Sequence, residues 1–157
     1  MNESGKEEAI NDTLAILRKA WEESPFNRFL GFKVDHVNAR EGQISFATKP
    51  ELIGNFYQGI LHGGVISAVI DAAEGLAAYA SALSGIKDLQ RQEATDRLAK
   101  TGTIDMRVDY LRPGKSIEFR CVATVMRTGA KVAVSRMELF ERENNLIAVG
   151  TGAYLVG

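Results

Sequence analysis

Polar and apolar positions change rhythm several times along the chain, and each rhythm predicts an element. Ala9, Ile10, Thr13, Leu14, Ile16, Leu17, Ala20 and Trp21 recur at the spacing of one helix face, and Pro25 ends that helix because its ring blocks continuation. Residues 1–24 are therefore expected to form an N-terminal helix with one sticky face. "LGFKVDHV" and "GQISFATK", joined through "NAREG", are rich in β-branched and aromatic residues and predict two strands with a turn between them. Residues 49–61 show no period and read as irregular. From Gly63 to about Ala82 the only charges are Asp71 and Glu74, so the helix expected there is apolar nearly all round and must be enclosed by other structure.

A polar connection, residues 84–102, follows, with a short helix predicted over 90–99. For a compact domain it is long, and it either covers a site or decorates a surface. "TIDMRVDYL" then alternates strictly, with Ile104, Met106, Val108 and Tyr110 on one face and Thr103, Asp105, Arg107 and Asp109 on the other. "SIEFRCVATVMR" alternates through Ile117, Phe119, Cys121, Ala123 and Val125, whereas "GAKVAVSRMELFERE" changes phase between Val134 and Met137, which predicts a β-bulge. "LIAVGTGAYLVG" supplies a last strand. The order helix, two strands, buried helix and at least three long strands predicts an α+β fold, with an antiparallel sheet wrapped around a central helix.

Composition narrows the classes. A chain of 157 residues suits one domain, 1–157, with a single core. No uninterrupted apolar run reaches the roughly 18 residues of a spanning helix, so no membrane insertion is expected. The formal net charge is −1 with both signs scattered, which argues against nucleic acid as a partner. The acidic, amphipathic start lacks the pattern of a secretory signal and points to the cytoplasm. Cys121 is the only cysteine and His36 and His62 the only histidines, so neither a disulfide nor a protein-built metal site is expected, and no cofactor motif appears.

Candidate chemistry gathers in "LHGGVISAVIDAAEG". The start of a helix leaves N–H groups unpaired and partially positive, a place to receive an anion or a polarised carbonyl oxygen. Gly63 and Gly64 let a ligand approach the backbone, and His62 beside them is either a hydrogen-bonded structural residue or a catalyst. Asp71, set among Val69, Ile70, Ala72 and Ala73, costs desolvation free energy unless it is paired with a sheet residue or kept for function. Eight residues of helix separate Gly63 from Asp71 by about 12 Å. If both serve one reacting atom, the Asp71 of one subunit must meet the Gly63 amide of another, at the interface of a symmetric dimer.

These segments, with "GN", "Q", "ILHGGVI" and "GTIDMRVDYLRPG" in order, resemble the hotdog-fold acyl-CoA thioesterases of the PaaI group. From "PFNRFLGF" to "GAYLVG" the chain is similar to their YigI-type medium- and long-chain members. The resemblance implies a hotdog fold, hydrolysis of acyl-CoA to free fatty acid and CoA without a cofactor, and a homodimer or a dimer of dimers, that is, a homotetramer. It implies that the Gly63 amide polarises the thioester carbonyl and that Asp71 is the nucleophile or the base that activates water. Asn55 is the matching orienting asparagine and Thr103 the assisting hydroxyl at a strand start. His62, Gly64 and Gln58 complete the helix mouth as substrate contacts. In several animal relatives the asparagine stands six residues before the histidine, whereas Asn55 stands seven before His62, so either the loop bulges by one residue or Gln58 supplies the amide. Phe56, Tyr57, Ile60, Leu61, Leu76 and Tyr79 line an acyl tunnel or are plain core. Arg107, Arg112, Lys115, Arg127 and Lys131 meet CoA phosphates or are solvated surface. A thioester needs no serine triad, because thiolate leaves readily and amide donors at a helix start stabilise the oxyanion. The rival readings are a non-catalytic acyl-CoA-binding hotdog protein and a hotdog dehydratase or hydratase, whose chemistry pairs a histidine with a carboxylate.

Overall fold

A computed structural model of the chain describes residues 3–84, 86 and 91–157. Residues 1 and 2 of the expected N-terminal helix and 85 and 87–90 of the expected polar connection lie outside the described residues, as do the side chains of Ala9 and Ile10. Helix α1 spans Glu3–Glu23 and α2 spans Pro25–Leu30. Pro25 both ends the first helix and opens the second, since a proline is tolerated where no intrahelical N–H is needed. Gly31 closes α2 in the left-handed conformation, φ 78°, which a residue without Cβ adopts freely.

Strands β1 (Lys33–Val37) and β2 (Glu41–Ala47) form the expected hairpin. The region expected to be irregular instead holds a 3-10 turn, Pro50–Leu52, and a miniature hairpin of β3 (Ile53–Asn55) and β4 (Ile60–Leu61). Segments this short carry no readable period. Helix α3 runs Gly63–Ser84 and α4 runs Arg91–Leu98. Strands β5 (Gly102–Tyr110), β6 (Glu118–Thr128), β7 (Val132–Glu141) and β8 (Leu146–Leu155) complete the main sheet. Its order is β1-β2-β6-β7-β8-β5, every neighbouring pair antiparallel.

The sheet wraps α3. Ile44 and Phe46 of β2, Phe119, Cys121 and Ala123 of β6, and Met137 and Leu139 of β7 form one buried cluster with Val69, Ile70, Ala73, Leu76 and Ala77 of α3. By length and composition α3 could cross a membrane, but here its apolar surface is spent inside the sheet. Two glycines on β8 allow the close approach: a Cβ at Gly150 would stand 2.7 Å from Ile70 Cγ2, and one at Gly152 2.3 Å from Glu74 Oε2.

Two expectations about alternation are corrected. No phase change occurs in β7, where Ala133, Ser135, Met137 and Leu139 all point inward. Ser135 occupies an inward position that a polar residue does not advertise, and the irregularity lies opposite it on β6, between Val125 and Arg127. Strict alternation also fails in β5. Thr103 pairs with Tyr154 and Asp105 with Ala153, which leaves Ile104 as the extra residue of a bulge. Ile104 turns out to solvent, 55% exposed, and Thr103 moves to the same face as Met106 and Val108.

Candidate active site

The bulge decides the geometry around Asp71. With Thr103 on the inner face of β5, its hydroxyl donates a 2.6 Å hydrogen bond to Asp71 Oδ1, about two turns into α3. Asp71 is half-buried and stands in the wall of a cavity of about 340 Å³, lined also by Trp21, Phe26, Asn27, Leu98 and Tyr154. The Trp21 indole N–H donates to the Ala72 carbonyl at 3.0 Å, and the Asn27 amide donates to the Trp21 carbonyl at 2.8 Å. The N-terminal helices are thereby fastened beside the carboxylate. Leu98 of α4 lines the same cavity, and the Tyr79 hydroxyl donates to the Ala94 carbonyl, so the polar connection helps to cover this site.

A second cluster forms at the start of α3. His62 precedes the helix, and its Nδ1 accepts the Gly64 amide at 2.8 Å while its carbonyl accepts the Val65 amide. His62 is thus a helix cap and the Gly64 N–H is committed to it. Gly63 is the first helical residue, whose amide has no carbonyl one turn back within the helix. Its carbonyl accepts the Tyr110 and Ser67 hydroxyls, both at 3.2 Å, and those hydroxyls also bond to each other. The β3–β4 hairpin abuts this mouth: the His62 amide donates to the Leu52 carbonyl at 2.8 Å. Asn55 and Gln58 are exposed in the hairpin turn, where the Gln58 amide donates to the Asn55 carbonyl at 3.2 Å and to Asn55 Oδ1 at 3.3 Å.

Within one chain, then, Asp71 and Thr103 meet, while Gly63, Gly64, His62, Asn55 and Gln58 gather near the other end of the same helix segment, about 12 Å away. Of the expected tunnel residues, Leu61, Leu76 and Tyr79 are buried core and Phe56 and Tyr57 are 74% and 87% exposed; none of them lines the cavity beside Asp71, which is walled by α1 and α2 instead. Arg107, Arg112, Lys115, Arg127 and Lys131 are all exposed, with Arg107 paired to Asp109 at 3.0 Å. Sequence reasoning missed Trp21 as a wall of the site, Tyr110 and Ser67 at the helix mouth, and the burial of Glu74. Glu74 was visible as the second charge in an apolar helix. Burial pushes its carboxyl up to about 8, with Asp71 and then Asp105 adding to the shift. The Tyr154 phenol is raised as well, by burial first and by Asp71 second.

Comparison with known proteins shows the family of the chain. Residues 58–148 match the family model of the thioesterase superfamily. The chain is 43% identical over 133 residues to the medium/long-chain acyl-CoA thioesterase YigI of Escherichia coli, covering 85% of this chain and 86% of that protein. A crystal structure of a Shewanella oneidensis protein related to the thioesterase superfamily superimposes with a TM-score of 0.91 at 40% identity, covering 95% of this chain and 98% of the other. A thioesterase from Haemophilus influenzae shares the fold, with a TM-score of 0.72 at 20% identity over 90% of this chain and 88% of its own.

Proposed function

This chain belongs to the thioesterase superfamily and is a thioester hydrolase, and from that premise we propose that it converts medium- and long-chain acyl-CoA to free fatty acid and CoA in the cytoplasm, as one hotdog unit over residues 1–157 that assembles as a homodimer or a dimer of dimers. The observation that carries the reading is the Thr103 to Asp71 hydrogen bond in the wall of a partly apolar cavity. A carboxylate so held has one oxygen oriented by the hydroxyl and the other available for attack on a carbonyl or on a water proton.

The oxyanion that develops needs a donor, and the Gly63 amide of a second subunit supplies it, since about 12 Å of helix separates that amide from the Asp71 of its own chain. The edge position of β5 supports such an assembly. An unpaired strand edge invites pairing, and Ile104, Tyr110 and Leu111 on or just after this strand are large apolar side chains left exposed. Asn55 or Gln58, in the hairpin beside the helix mouth, orients the attacking group across the same interface, and His62 and Gly64 shape the mouth that receives the thioester. His62 is engaged as a cap through Nδ1, which favours hydrolysis over the dehydratase chemistry that needs a free histidine.

The test is release of free thiol from acyl-CoAs of short, medium and long chain by the wild type and by Asp71→Asn. Release that favours the longer chains and collapses in the variant is expected. A folded, oligomeric wild type that releases no thiol from any of them sinks the proposal in favour of a binding protein.

A further inference from the structure

Glu74 has a relative exposure of 0%, and neither of its carboxyl oxygens has a hydrogen-bond partner among the described residues. It follows Asp71 by three residues on α3, a spacing that makes the two side chains neighbours on the helix surface. The sheet is cut to receive it. Gly152 of β8 lies over its carboxyl, where any Cβ would stand 2.3 Å from Oε2. Beside Gly152 on β7 is Ser135, itself buried with its hydroxyl unpartnered among the described residues. Simple core packing does not account for this placement, because a methionine or leucine would fill it without burying an acid.

The groups facing Glu74 from the surrounding elements are few. Asp71 acts on it from its own helix and Asp105 from β5, and Tyr154 of β8 feels both Asp71 and Glu74. From β6 and β7 the inward residues include Cys121, Ala123, Ser135 and Met137, of which only the Cys121 thiol titrates, and burial drives it far above the usual thiol range. β2 turns Ile44 and Phe46 inward, and α1 contributes Trp21. No described cation neutralises the site.

We propose that Glu74 is a positioning residue for Asp71: a carboxylic acid, held neutral under the sheet one helical turn away, that keeps a second negative charge off the helix beside the reacting carboxylate. The catalytic consequence rests on the thioesterase reading above, whereas the protonation does not. Two carboxylates at this spacing in a low-dielectric interior do not both ionise without cost. When Glu74 releases its proton to solvent, the new anion opposes the negative tetrahedral intermediate that forms beside it. Burial places that release near pH 8, so kcat/KM falls as pH rises through that range.

The experiment compares wild type with Glu74→Gln, a neutral isostere, by two readouts across pH 6 to 10, a window of roughly two pH units either side of the release. One is the pH profile of kcat/KM for thiol release. The other is the fluorescence of Trp21, the only tryptophan, whose ring lies 3.0 Å from a Cβ built at the adjoining Gly75 and which needs no substrate. The wild type is expected to show an alkaline limb and a fluorescence transition near pH 8, both absent from the variant, so that the pH 9 to pH 7 rate ratio rises several-fold on substitution. An alkaline limb shared by both proteins, or no limb in the wild type, overturns the positioning role. A fluorescence transition retained in the variant overturns the protonation itself. A wild type that releases no thiol but keeps the Glu74-dependent transition defeats the thioesterase reading and leaves the buried acid standing. If Glu74→Gln does not fold, Glu74→Met makes the same comparison.

Discussion

The Thr103 hydroxyl donates to Asp71 Oδ1 at 2.6 Å and so ties the edge strand β5 to the central helix at the wall of the cavity. A hydrogen bond to a charged group contributes about 1.5–3 kcal/mol, and here it engages Oδ1 of Asp71. Thr103→Val is expected to lower kcat by roughly tenfold to a hundredfold with a much smaller change in KM, while Thr103→Ser keeps most of the rate. Steady-state kinetics on one medium-chain acyl-CoA checks both, and a Thr103→Val enzyme at wild-type rate would remove Thr103 from the site.

The separation of Gly63 from Asp71 along α3 predicts complementation between defective subunits. Gly63→Pro removes the amide hydrogen while remaining compatible with the first turn of a helix, and Asp71→Asn removes the carboxylate. Each variant alone is expected to be inactive. Unfolded together and reassembled in equal amounts, they should regain roughly a quarter of wild-type activity, because half of the dimers are then mixed and each carries one intact site. Failure of the mixture to recover any rate, with mixed dimers demonstrated by mass, argues that both residues act within one chain.

The cavity wall predicts selectivity for acyl length. Ala68 lines it beside Asp71, and Ala68→Leu narrows the space without touching the carboxylate. Since one methylene in an apolar pocket is worth about 1–3 kcal/mol of discrimination, kcat/KM for long-chain acyl-CoA is expected to fall about tenfold or more relative to that for short chains. An unchanged ratio across a chain-length series places the acyl group elsewhere.

Glu74 predicts how stability depends on pH. Its folded carboxyl titrates near 8 against 4.5 for the unperturbed group, so above pH 4.5 the unfolded chain releases a proton that the folded chain retains. Stability therefore falls as pH rises from about 4.5 to about 8 and is level beyond, by on the order of a few kcal/mol in all. Denaturant unfolding across that window should show the slope in the wild type and its loss in Glu74→Gln. Equal slopes in the two proteins would assign the dependence to other groups.

Gly152 and Glu74 form a steric pair that a double substitution can expose. Gly152→Ala forces a methyl against a buried carboxyl with no exit to solvent and is expected to cost about 1–3 kcal/mol. In the background of Glu74→Ala the same change should cost much less, a non-additivity that thermal unfolding of the four proteins measures directly.

Much of this site was legible before any tertiary contact was known. An unbroken apolar helix carrying Asp71 has to lie inside a sheet, the glycines of "HGG" have to open that helix, and the alternating segments after residue 102 have to supply the strands; these follow from local periodicity and burial alone. The order of motifs and their resemblance to known thioesterases added the chemistry. What periodicity could not reveal was the bulge at Ile104, because "TIDMRVDYL" alternates without a flaw and the extra residue is defined only by what β8 places opposite it. Tertiary structure alone turned Thr103 toward Asp71, brought Trp21 and Phe26 from the far end of the sequence to wall the cavity, and sealed Glu74 beneath Gly152. Pairing register and helix docking depend on partners distant in sequence, so no local pattern encodes them.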